Sequence, residues 1–231
     1  MSVISQMVMS SMAPPSSVTS VEQTDIRSKQ GSGSSPNTFA SVAFGAPGPR
    51  VWSVALLHHF NVTNQATISG ITIGGVVASF QLDNTGDGAG GAAGICIARA
   101  QPATSSGDVA VTWLTSARPA LSLVMLRVVG FDLTTPSDTA ELPNGSTQSG
   151  AGKTLNIETV ADGLLLGGAC KRNTNDITWT NLTEQGEDTQ GSHTRSWGWD
   201  HPTVLQSNRA VSFTSTSSAL VSMLLQSFPK Y

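Results

Sequence analysis

A few stretches of this chain carry residue types at spacings that suggest chemistry. Gly145-Ser-Thr-Gln-Ser-Gly-Ala-Gly-Lys-Thr154 has the composition of a phosphate-cradling loop. That motif needs a glycine five residues before the Gly-Lys pair, and Thr147 stands there. It also needs a helix to open after the loop, so that backbone N–H groups face the phosphate. Thr154 instead begins an alternating run, and the segment reads as a flexible turn. His58 and His59 are adjacent in an apolar run. Neighbours on a strand point to opposite faces, so the pair cannot chelate one metal, and one packed and one surface imidazole are expected. Asp83, Asn84 and Asp87 open a glycine-rich stretch to Gly94, but their spacing does not fit a calcium loop. Trp197-Gly-Trp-Asp-His201 is the best binding candidate. On a strand Trp197 and Trp199 share a face, where they could stack on a sugar ring while His201, Asp200 or Glu187 bonds its hydroxyls. The commoner use of such residues is burial in a core or against a partner chain, where aromatics are enriched. There is no Gly-x-Ser-x-Gly elbow for a serine nucleophile. Glu184, Glu187 and Asp188 share one polar stretch that reads as solvated. No catalytic residue, cofactor or metal ligand is assigned.

The elements that would position these residues are short and extended. Apolar or alternating runs at Val51–Phe60, Ile68–Ile73, Val76–Leu82, Ile95–Ala100, Val109–Leu114, Leu121–Val129, Thr154–Val160, Leu164–Cys170, Ala210–Thr214 and Ala219–Phe228 are broken by Gly, Pro, Asn, Asp and Ser. Thr38–Phe44 is a plausible first strand, and Ile177–Thr183 and His193–Trp199 are further ones. Val51–Phe60, Leu121–Val129 and Ala219–Phe228 are apolar on both faces, which places them centrally. Gly74-Gly75 supplies the positive φ angles of a two-residue hairpin turn. Nothing reads as a long amphipathic helix. The expected fold is all-β: a two-sheet antiparallel β-sandwich, jelly-roll-like, over residues 37–231.

Residues 1–36 differ in composition. Val3, Ile4, Met7, Val8 and Met12 form an apolar segment that Pro14-Pro15 stops, and the polar stretch Ser16–Ser35 follows. They are expected to form an N-terminal arm on a flexible linker, with those five residues as its docking face.

The chain has 231 residues, a net charge of −3 and only 12% charged residues. That is about half the usual charged share, so the surface is polar through Ser, Thr, Asn, Gln and Gly. Scattered basic residues argue against a nucleic-acid partner. No apolar window reaches the roughly 18 residues of a membrane-spanning helix, and the first residues lack the basic and apolar regions of an export signal. Synthesis in a cytoplasm is expected. Cys96 and Cys170 are read as buried thiols, or as a disulfide if their strands bring the Cα atoms within about 7 Å.

Several strand signatures together resemble the β-sandwich virion proteins of tailed bacteriophages and prophage elements. They are Arg50-Val-Trp-Ser-Val-Ala-Leu-Leu57, the Ile68–Ala78 hairpin, Gln101-Pro102, Ser106-Gly-Asp-Val-Ala-Val-Thr-Trp113, Val128–Thr139, Thr154-Leu-Asn-Ile157 and Ile177–Glu184. The resemblance spans roughly residues 38–228 and transfers no catalytic residues. It implies a non-enzymatic structural component of the virion: a capsid-decoration, collar, tail, spike or fibre protein. Its partners would be other virion proteins (capsid, portal or collar, and tail) and further copies of itself, with a homotrimer favoured on family grounds. The alternative is a carbohydrate-binding, receptor-binding module that takes a host-surface glycan on Trp197 and Trp199.

Overall fold

The computed structural model describes residues 18–29, 35–61, 67–86, 92–114, 120–142, 149–191 and 193–231. Its strands are β1 (Ser20–Lys29), β2 (Asn37–Ala43), β3 (Val51–Asn61), β4 (Ile68–Ile73), β5 (Val76–Val77), β6 (Ser79–Gly86), β7 (Ala92–Ala100) and β8 (Ser106–Trp113). The second half adds β9 (Ala120–Val129), β10 (Asp138–Glu141), β11 (Ser149–Thr159), β12 (Leu164–Lys171), β13 (Thr178–Thr180), β14 (Glu184–Gln190), β15 (His193–Asp200) and β16 (Gln206–Phe228). Among the described residues there is no helix. The expected all-β fold of antiparallel sheets is therefore what the protein has.

Apolar residues on both faces of β3 and β9 can be buried only if both faces of their sheet are covered. The structure meets that demand by repeating the facing-sheet packing of a sandwich. A five-stranded sheet, in the order β1-β9-β3-β7-β6, lies between a four-stranded sheet (β2-β8-β4-β5) and a seven-stranded sheet built around β12 and β16. Ala55, Leu57, Cys96, Leu123 and Met125 pack on Phe39, Val42, Ile71, Ile73 and Val111 of the four-stranded sheet. Val54, Leu56, Ile95, Ile97, Val124 and Leu126, on the opposite face, pack on Leu164, Leu166, Trp197, Leu224 and Phe228. Fully burying each Val, Leu, Ile, Phe or Met side chain among these is worth about 1.5–3 kcal/mol.

The seven-stranded sheet is covered in turn on its far side. Its strand β16 has 23 residues and is continuous where the sequence suggests two strands. The second half pairs with β12, Val221 opposite Lys171 and Phe228 opposite Leu164. The first half pairs with β11 and β13. The register jumps between Gly150–Ala219 and Gly152–Thr214, so Ser215–Ser218 bulge out and the strand folds its first half over its own sheet. Val211, Phe213, Ile157, Ile177 and Trp179 thereby cover Leu165, Ala169, Met223 and Leu225. The bulge also cups the buried Lys171, whose ammonium donates to the Ser215 hydroxyl and the Ser217 carbonyl.

Ser16–Ser35 corrects the expected linker in part, because Ser20–Lys29 is β1, an edge strand paired with β9 from Ser20–Val129 to Lys29–Leu121. Its side chains also bind the open edge of β2. The Arg27 guanidinium donates to the carbonyls of Ala40 and Ser41, the Thr24 hydroxyl to the Ala43 carbonyl, and the Ala43 N–H donates to Asp25. A free edge is a template for unwanted pairing, and here one sheet's edge strand occupies the polar groups of its neighbour's. The docking residues Val3, Ile4, Met7, Val8 and Met12 lie outside the described residues.

The β4–β5 hairpin matches its sequence reading: Gly74 and Gly75 have φ of 58° and 80°, with Ile73 opposite Val76. Another glycine is needed for a different reason. Gly94 pairs across from His59, and a Cβ on it would sit 2.0 Å from His59 Nε2 and 2.4 Å from Cε1. Gly94→Ala must push a fully buried ring aside, and is expected to cost about 1–3 kcal/mol. Gly70→Ala, where the nearest atom would be 4.0 Å away, should change stability by less than about 0.5 kcal/mol. Urea unfolding of the two variants checks this, and equal stabilities would refute the close packing at His59.

Candidate functional site

Because both faces of the middle sheet are covered, His58 and His59 are 3% and 1% exposed. This corrects the expectation of one surface imidazole. His59 points to the four-stranded sheet, edge-on to Trp113 with ring centroids 5.3 Å apart. His58 points the other way, toward Gly168 and Ser196 of the seven-stranded sheet. Around it lies a cavity lined by His58, Ser122, Cys170, Gln190, His193 and Arg195, among others. The space open to the centre of a water-sized sphere is about 20 Å3, enough for one water and little more.

Arg195, on β15, crosses the floor of this space. Its guanidinium is ion-paired with Asp188 and donates to Ser28 Oγ at 2.9 Å and Gln190 Oε1 at 3.3 Å. It thereby ties β15 to β14 and to the far end of β1. Its Nε, like His193 Nε2, has no hydrogen-bond partner. The His193 ring packs on Phe60, and Arg172 lies over the other ring at 5.6 Å from its centroid.

The electrostatics follow from burial. Desolvation, then the Arg195 cation and His59, hold His58 well below the usual imidazole range. Burial lowers His59 to about 4, and burial with the nearby Arg172 charge lowers His193 to about 4. Desolvation pushes the Cys170 thiol up to about 12, and Cys96 is raised by the same cause. At neutral pH these imidazoles are uncharged and these sulfurs are thiols, not thiolates. Both cysteines are free. Among the described residues no group of three or more His, Cys, Asp or Glu is placed to hold a metal ion.

One buried group does titrate near neutrality. Asp83 continues β6 where the sequence suggests a loop. Its Oδ2 accepts from Ser222 Oγ and the Met223 N–H, each at 2.7 Å, while Oδ1 has no partner. Desolvation outweighs those bonds and, helped by the Glu141 charge, raises the carboxyl to about 7. Sequence reasoning offered no signal for this burial beyond the alternation of Gln81 and Asp83 with Phe80 and Leu82.

Trp197 and Trp199 share a face of β15, as their spacing implies, but that face turns inward. Trp197 is 2% exposed and donates its indole N–H to Gln23 Oε1 at 3.1 Å. Trp199 is half-buried at the margin of the same core. His201 is exposed and stacks on Phe131, with ring centroids 5.3 Å apart. The pair therefore forms no shared open platform. Lys153 and Thr154 of the glycine-rich stretch are strand residues opposite Phe213 and Ser212, and 143–148 lie outside the described residues. Among the described residues no helix is long and apolar enough to cross a membrane. Compared with protein families, with curated proteins and with solved structures, the chain matches none.

The Asp83 environment gives a pH signature. A carboxyl raised from 3.8 to about 7 on folding imposes no penalty below pH 4. It imposes a growing one as pH rises to 7, and about 4 kcal/mol above that. The buried histidines act oppositely, losing stability as pH falls from 6.5 toward 4, but equally in any Asp83 variant. Asp83→Asn should therefore gain stability over the wild type by a margin that widens by a few kcal/mol between pH 4.5 and pH 8. Denaturant titrations at both pH values read the margin, and a pH-independent one would refute a neutral buried carboxyl.

Proposed function

We propose that this chain is a non-enzymatic structural component of a bacteriophage particle, a capsid-decoration, collar, tail or fibre protein that works by burying surface against neighbours. The observation that carries the reading is the position of β1. Residues 1–17 lead directly into a strand paired along β9 and bonded through Thr24, Asp25 and Arg27 to β2. A load applied to that segment is delivered at once to both sheets, which suits an anchor. Strand resemblances to phage virion proteins over residues 38–228 supply the particle.

Interior chemistry agrees with building material. The cavity beside His58 has room for about one water, its thiol is protonated and its imidazoles are neutral. The glycan-binding alternative loses its geometric support, because Trp197 is enclosed.

Removal of residues 1–17, which spares β1, should leave a folded protein with unchanged far-UV circular dichroism that is no longer incorporated into particles. Immunoblotting of purified particles from complemented infections reads the outcome. Normal incorporation of the truncated chain would contradict the anchoring role, and absence of the full chain from particles would contradict the virion reading itself.

A further inference from the structure

The space beside His58 is polar, and the protein's own hydrogen bonds do not use that polarity up. Buried polar groups are nearly always bonded, so each orphan calls for a partner. The Arg195 side chain, 4% exposed, commits its terminal nitrogens to Asp188, Ser28 and Gln190 and keeps Nε over. His193 Nε2 is buried and has no partner either. Both residues stand on β15, in the seven-stranded sheet. Ser122 belongs to β9, in the five-stranded sheet. Its hydroxyl donates to the His58 carbonyl at 3.3 Å, which leaves the oxygen able to accept. Ser122, His193 and Arg195 line the same space, where about 20 Å3 is open to the centre of a water-sized sphere.

The donors and acceptors in the wall select what can sit there. A guanidinium nitrogen only donates. His193 Nδ1 lies 3.3 Å from the Gln190 carbonyl. A carbonyl oxygen only accepts, so Nδ1 carries the proton, and in the uncharged ring Nε2 is a lone pair. Burial and the Arg172 charge lower His193 to about 4, so the ring is uncharged at neutral pH. The occupant must therefore accept from Arg195 and donate to His193. A halide accepts but cannot donate, and it would face the His193 lone pair. A metal ion would meet the Arg195 cation, whose counter-charge, Asp188, is 38% exposed and outside the lining. Among the described residues no three His, Cys, Asp or Glu come together to hold one. A water molecule both accepts and donates, and the space takes one.

We infer that this space is a binding site for one long-lived water, which accepts from Arg195 Nε, donates to His193 Nε2 and to Ser122 Oγ, and so bridges the five- and seven-stranded sheets. Three bonds are the usual complement of a buried water, and such waters are costly to remove. The bridge lets a guanidinium, an imidazole and a hydroxyl share one buried place without leaving any of them unpaired. It is independent of the virion reading.

Oxygen-17 relaxation dispersion of the full-length protein at pH 7 tests it, because it counts the waters that tumble with the protein. His193→Phe keeps a ring against Phe60 and removes the lone pair. It should hold one such water fewer than the wild type, while His201→Phe, at an exposed position, should hold the same number. Equal counts in wild type and a natively folded His193→Phe would overturn the site. If that variant does not fold, Ser122→Val removes the acceptor on the other sheet and fills the space with a methyl, and it should show the same loss. Long-range proton–nitrogen correlation at pH 7 should find His193 protonated at Nδ1 alone. A proton on Nε2 would overturn the choice of water. Broadening of the chloride-35 line by the wild type that Arg195→Lys abolishes would assign the site to an anion and would overturn it equally.

Discussion

The structure depends on one constraint: the middle strands of the five-stranded sheet have no wet face. Ser53–Phe60 of β3 and Leu121–Leu126 of β9 are buried whichever way they point. Leu56 and Leu57 are both fully buried, one toward each neighbour. Polar groups admitted to this layer must be neutral or bonded. His58 and His59 are kept neutral by desolvation, Arg195 holds Asp188, and Asp83 meets Ser222 and Met223. The glycines follow the same rule: at Gly94 and Gly168 a side chain would collide with His59 or Ile95.

Stacked sheets leave edges, and the edges explain much of the rest. β1 is polar and closes β2 with side chains. β5 has two residues and offers little to pair with. β16 avoids a further separate sheet by bending at Ser215–Ser218, where the Lys171 ammonium donates to the Ser215 hydroxyl and to the Ser217 carbonyl. Covered faces and guarded edges are what a protein needs if it is to stand crowded among copies of itself without unplanned pairing.

The sequence made the central strands legible because burial on both faces leaves an unbroken apolar run, as in Val51–Phe60 and Leu121–Val129. The Gly74-Gly75 turn was legible because few residues tolerate its φ values. β1 and β14 were not. At an edge, polarity carries no period, and Thr24, Asp25 and Arg27 look like linker until their β2 partners are known. A two-faced apolar strand also says that something covers it without saying how many layers do so. That is why His58 and His59 were expected to part company at a surface. Trp197 and Trp199 were correctly given one face, but spacing cannot tell an inward face from an outward one. Trp52 and Tyr231, joined by a hydrogen bond from the indole N–H to the phenol oxygen, lie 179 residues apart, a distance that no local pattern spans.

Hydrogen–deuterium exchange of the full chain, read at residue resolution by NMR or by overlapping peptides, tests the doubly covered sheet most directly. Amides of β3 and β9, and those of β12 paired with Val221–Phe228, should exchange only through global unfolding, while β1 and β14 exchange faster through local opening. If β3 and β9 exchange as fast as those edge strands, the middle sheet is not enclosed and the account is wrong.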